Sequence, residues 1–180
     1  MSLQLFEVVP SNATREGAES VIAAIASAAE QNGAQVLESQ VTEGQGRVFT
    51  VVELNGDDTT ALDQAIRNGV AEQATEVSGP DQVRLVGADI EDIRKAKPSA
   101  EYLVEWDIPA EIDMETYLGR KKANAPKYAE VPEVSFLRTY VREDTVKCLC
   151  FYNAPDEDAV VRAREAVTTP IDRLHHLAGN

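Results

Sequence analysis

Residues 134–156 (VSFLRTYVREDTVKCLCFYNAPD) decide the fold. Val134 to Val141 and Val146 to Tyr152 are rich in β-branched, aromatic and apolar residues and read as two successive strands. Asp156 then caps a helix, and Glu157 and Asp158 lie well against the positive end of its dipole. The same order occurs in residues 35–57 (QVLESQVTEGQGRVFTVVELNGD). Gln35 to Val41 and Arg47 to Leu54 are extended runs, and the glycines of Thr42-Glu43-Gly44-Gln45-Gly46 permit a positive-φ turn between them. One offset of 99 residues pairs Leu37 with Phe136, Val41 with Tyr140, Phe49 with Cys148, Asp57 with Asp156 and Pro10 with Pro109. Chance similarity would need a different offset for each pair.

Working outward, Leu3 to Val9 is an apolar, β-rich run that stops at Pro10. Ala18, Val21, Ile22, Ile25, Ala28 and Ala29 then recur at helical spacing, and Asn32-Gly33 ends the helix. Beyond the first hairpin, Asp57, Asp58 and Thr59 cap a helix with the buried stripe Leu62, Ala65, Ile66 and Val70, and Val83 to Val86 forms a last strand. Asp89 to Ser99 is charged, lacks an apolar stripe and contains Pro98, so it reads as a linker. The order then restarts with a strand at Glu101 to Ile108, a helix from Asp113 to about Asn124, the two strands and helix above, and a short strand near Ile171 to Leu177.

The expectation is an α+β chain of two ferredoxin-like (βαββαβ) halves in tandem, residues 1–97 and 98–180. Two helices cover one face of such a sheet. The other face needs a partner, which the second half can supply by closing a single-chain dimeric α/β barrel. The alternative is pairing of the bare faces between chains in a homodimer.

The second half, from about Glu101 to Leu177, resembles the family known as domain of unknown function 4242. The resemblance rests on Tyr102-Leu103-Val104-Glu105, on Val134 to Val141, on Cys150-Phe151-Tyr152-Asn153-Ala154-Pro155, and on Pro170-Ile171-Asp172-Arg173-Leu174. It implies a ferredoxin-like fold and binding of a divalent metal ion such as nickel. The first half matches only in architecture, as a diverged copy would.

The formal net charge of −14, from 17 basic and 31 acidic residues, repels phosphate backbones and anionic lipid, so nucleic-acid and membrane partners are disfavoured. The Met1-Ser2-Leu3-Gln4-Leu5 start lacks a basic, then apolar, signal pattern, and a cytoplasmic location is expected. Cys148 and Cys150, two apart on one strand, are poorly spaced for a mutual disulfide and read as reduced thiols. No phosphate loop, HExxH, paired CxxC or G-x-S-x-G motif occurs, so hydrolase and nucleotide-binding readings lack support.

Alternation along the strands gives the candidate site. With Leu149 and Phe151 taken as core, Cys150 and Tyr152 face a cavity; Val104 and Trp106 lie under the helices and Glu105 in the cavity; Leu137 inward leaves Phe136, Arg138 and Tyr140 on the open side. Glu105, Arg138, Tyr140, Cys150 and Tyr152 would together suit a small polar ligand. His175 and His176, the only histidines, are the metal candidates; on a strand they point to opposite faces, so a shared site would bridge chains. The expected function is a non-enzymatic binding module for a metal ion or small ligand in the second half. The alternatives are a cofactor-independent monooxygenase or isomerase, or a structural or protein-binding pseudo-dimer.

Overall fold

The computed structural model describes residues 1–96 and 98–179. The element order is β1 (Ser2–Pro10), α1 (Arg15–Gln31), β2 (Gln35–Val41), β3 (Val48–Leu54), α2 (Thr60–Gly69), β4 (Ala74–Val86), α3 (Ile90–Lys95), β5 (Tyr102–Asp107), α4 (Met114–Asn124), a 3-10 helix (Ala125–Glu130), β6 (Ser135–Arg142), β7 (Lys147–Asn153), α5 (Glu157–Ala166) and β8 (Arg173–His176). The chain divides into two compact units, Met1–Val83 with Glu91–Pro98, and Arg84–Ile90 with Ser99–Gly179. Each carries the βαββαβ order, so the tandem ferredoxin-like α+β expectation holds.

In the first unit β1 pairs antiparallel with β3 and β4, and β2 pairs with β3, giving the order β2-β3-β1-β4. Thr14 caps α1 by accepting from the Gly17 N–H at 3.0 Å. Val21 and Ile25 of α1 and Leu62 and Ile66 of α2 pack with Phe6, Val8, Val48 and Val52 of the sheet.

Two elements differ from expectation. β4 begins at Ala74, well before Val83, because the strand runs through Gly79-Pro80, a pair that normally punctuates strands. A register shift between Leu5 and Glu7 of β1 absorbs the interruption. Only glycine fits there: φ at Gly79 is +103°, and a Cβ would lie 2.3 Å from the Leu5 carbonyl oxygen. Within the Asp89 to Ser99 stretch read as linker, the structure has α3. One buried side chain, Ile93, anchors it, and Arg94, which also pairs with Glu91 inside the helix, joins it to Glu53 of β3. Six residues with a single apolar anchor leave no periodic pattern to read. The expected boundary at residue 97 lies outside the described residues.

In the second unit β5 pairs antiparallel with β7 and β8, and β6 pairs with β7, giving β6-β7-β5-β8. Asp113 caps α4 through the Thr116 N–H, and Asp156 caps α5 through the Ala159 N–H, both at 2.8 Å. Pro126 lies in the first turn of the 3-10 helix that follows α4. Tyr117 of α4 and Ala159, Val160 and Ala163 of α5 pack on Val104, Trp106, Cys148, Cys150 and Tyr152.

That packing corrects the expected faces. Val104 and Trp106 do lie under the helices, but so do Cys150 and Tyr152, which had been placed in an open cavity. The register fixes this: Val104 is opposite Cys150 and Tyr102 opposite Tyr152, and directly opposed residues share a face. Phe136, expected on the open side, also packs under the helices, because a bulge between Phe136 and Arg138 breaks the alternation of β6. No helix among the described residues is long and apolar enough to cross a membrane.

Candidate functional site

The second unit carries two groups of polar side chains, one on each face of its sheet. On the face away from the helices, Glu105 is 2% exposed and held on three sides. Lys147 donates to Oε1 at 2.7 Å, Arg173 donates to Oε2 at 2.9 Å, and the Nε2 of His175 lies 2.7 Å from Oε2. Burial opposes the charge of Glu105, but the hydrogen bonds of His175 and Lys147 and the charges of Lys147 and Arg173 outweigh it and hold the carboxyl at about 2. Arg173 also grips Asp107. On the same face the Arg138 guanidinium lies 4.8 Å from the centre of the Phe151 ring, and Tyr140 meets that ring edge-on at 6.0 Å.

Of the residues expected to form one site, the structure therefore groups Glu105, Arg138 and Tyr140 with His175 on this face. Cys150 and Tyr152 lie on the other. His176, next in sequence, stacks on Tyr102 at 4.8 Å on the helix side, as strand alternation requires.

Under the helices is a small pocket, with a cavity volume of about 30 Å³ and a partly open mouth, whose lining includes Trp106, Tyr117, Lys121, Tyr128, both cysteines and Arg164. The Cys148 and Cys150 sulfurs are 3.9 Å apart, and Thr139 donates to the Cys150 sulfur at 3.2 Å. The Cys148 thiol's hydrogen bond, helped by the charges of Lys121 and Arg164, pulls Cys150 below the usual thiol range, and the same bond pushes Cys148 up. Burial pushes Tyr128 up to about 12 and raises Tyr117 and Tyr152 as well, so these phenols stay protonated and can donate.

Arg164 is 2% exposed. Its Nη1 donates to the Tyr152 hydroxyl at 3.0 Å and its Nη2 to the Pro170 carbonyl at 2.7 Å; Tyr152 in turn shares a 2.6 Å hydrogen bond with Tyr128. Its Nε is the one buried side-chain nitrogen or oxygen without a partner among the described residues. Sequence reasoning missed Arg164, yet a signal was present. It lies four residues after Val160 and three before Val167, so a charge occupies the apolar stripe of α5.

The comparisons bear on this unit and on the fold. Residues 102–177 match the family of nickel responsive proteins of the SCO4226-like type. The match lies within the second half of the chain. Comparison with curated proteins finds no match. Among solved structures, one named as a chlorite dismutase is similar with a TM-score of 0.57 at 12% identity, covering 99% of this chain and 96% of that one. One named as a monooxygenase from Lactobacillus acidophilus gives a TM-score of 0.52 at 9% identity over 98% of this chain and 92% of that one. Another, from Fusobacterium nucleatum, gives 0.51 at 12% over 98% and 91%. At these identities the likeness carries the fold and no activity.

Nickel is the metal this family implies. Among the described residues, however, no group of three or more His, Cys, Asp or Glu side chains converges to hold a metal ion. His175 is engaged with Glu105, whose charge Lys147 and Arg173 already balance, and His176 lies on the opposite face. The two thiols are soft donors, but they share their pocket with cationic side chains. The residues described do not fit a complete nickel site within this chain.

Proposed function

We propose that the second unit is a binding module whose ligand site is the pocket formed by β5, β7, α4, the 3-10 helix and α5. The observation that carries the reading is Arg164, a buried guanidinium that lines the pocket with one N–H unpaired. Leaving such a donor unmet costs about 1–3 kcal/mol, and a ligand that accepts from it recovers this. The aromatic walls with a few convergent polar groups are the usual character of a small-molecule site.

Ligand entry is expected to raise the melting temperature by mass action. Ala125 lies at the exposed rim of the pocket, so Ala125→Leu adds bulk there without touching the core. A ligand-induced rise in melting temperature that disappears in Ala125→Leu supports the reading. An undiminished rise in that variant contradicts it.

A second reading takes the ligand to be a metal ion. It is favoured by the description of the matching family and by the 3.9 Å separation of the two thiols, which could supply two donors of a nickel ion. Protein purified without a histidine tag should then carry near-stoichiometric nickel, lost in the Cys148→Ser, Cys150→Ser double variant. Metal-free protein whose melting is unchanged by added nickel would sink it.

A further inference from the structure

The sign of the charge around the pocket deepens the reading of the second unit as a binding module, and rests on it. In a chain of net charge −14, the pocket is lined by Arg120, Lys121 and Arg164 and by no aspartate or glutamate. Even with Cys150 ionised the lining stays net positive. Each cation has a fixed position: the Arg120 guanidinium lies 5.5 Å from the centre of the Trp106 ring, the Lys121 ammonium lies 4.4 Å from the centre of the Phe136 ring, and Arg164 is tied by both terminal nitrogens. Such a field in a low-dielectric wall attracts anions and repels a divalent cation.

The geometry of Arg164 narrows the class. With Nη1 on Tyr152 and Nη2 on Pro170, the unmet donor is Nε, and the side edge of a guanidinium, Nε–H with the neighbouring Nη–H, matches the two oxygens of a carboxylate. Trp106, Tyr117, Ala125 and Val167 supply apolar wall for a short carbon body. From these observations we infer that the pocket takes a small organic monocarboxylate, its carboxylate paired with Arg164 and its apolar end against the aromatic wall.

The ligand's carboxylate and a Cys150 thiolate would compete for the same cations. Binding therefore favours the protonated thiol and slows alkylation of the cysteines, a readout independent of any activity.

The test is calorimetric titration of the full chain with sodium acetate, sodium propionate, inorganic phosphate and nickel chloride, each at matched ionic strength. Saturable binding of acetate or propionate is expected, with slower iodoacetamide labelling in the bound state. Arg164→Lys keeps the charge and loses the fork, and should weaken carboxylate binding roughly 10-fold. Because Arg164 is buried, Lys121→Ala serves as a second variant with less risk to folding, and should weaken binding about 3-fold. Nickel binding without carboxylate binding overturns the anion assignment while leaving a binding module in place. Phosphate binding tighter than either carboxylate overturns the ligand class. Failure of all four probes to bind overturns the inference and removes support for the pocket as a site.

Discussion

At the scale of single residues, Glu105 shows how a buried charge becomes a source of pH-dependent stability. Its carboxyl is held near 2 in the folded chain against an ordinary 4.5. A depressed carboxylate contributes stability that is fully present above the unfolded value and is lost as pH falls from about 4.5 toward about 2. Discounted for the partly exposed Arg173, the contribution at neutral pH is roughly 2–3 kcal/mol. Glu105→Gln should lower unfolding free energy by about that amount at pH 7 and flatten the acid limb between about pH 4.5 and about pH 2, read by urea denaturation at each pH. Glu105 and its buried strand were legible in the sequence. Its partners were not, because Lys147 and Arg173 lie beside it only through the β5–β7 and β5–β8 registers. The same registers explain the misplacement of Cys150 and Tyr152. Apolarity alone favoured Leu149 and Phe151 as core, whereas cross-strand pairing ties Cys150 to Val104.

At the scale of elements, the cap of α5 was readable, whereas at α2 the Thr59 side chain makes no capping hydrogen bond and Asp58, not Asp57, accepts from the Thr60 N–H. Asp156 caps α5, and Asp156→Ala should cost about 1 kcal/mol of stability, measured by the shift of the denaturation midpoint at constant slope. Long-range constraints were not readable. Gly79 sits mid-strand because the Leu5 carbonyl leaves no room for a Cβ and φ is positive. Gly79→Ala should destabilise the first unit by about 2 kcal/mol or more, with increased hydrogen exchange in β1 and β4. Neither the six-residue α3 nor the bulge in β6 follows from local pattern, since each depends on a contact or register made elsewhere in the chain.

At the scale of the molecule, the α+β fold with ferredoxin-like order twice was legible from the sequence, because it rests on the succession of strands and helices. The similarity to known structures over nearly the whole chain agrees with it. The pocket was not legible in the same way: Arg164, Tyr117 and Lys121 come from two helices that meet the sheet far from one another in sequence. In a chain that is acidic overall, the adjacent Arg120 and Lys121 are visible in the sequence as a basic pair, but only the fold brings Arg164 to the same pocket. Trp106 is the sole tryptophan and lines that pocket, so its emission reports occupancy without a label. The most direct measurement is Trp106 fluorescence during titration with sodium propionate at constant ionic strength, in the wild-type chain and in Arg164→Lys. The account predicts a saturable change in the wild type that moves to roughly 10-fold higher concentration in the variant. Emission that does not respond, or that responds identically in both proteins, would contradict it.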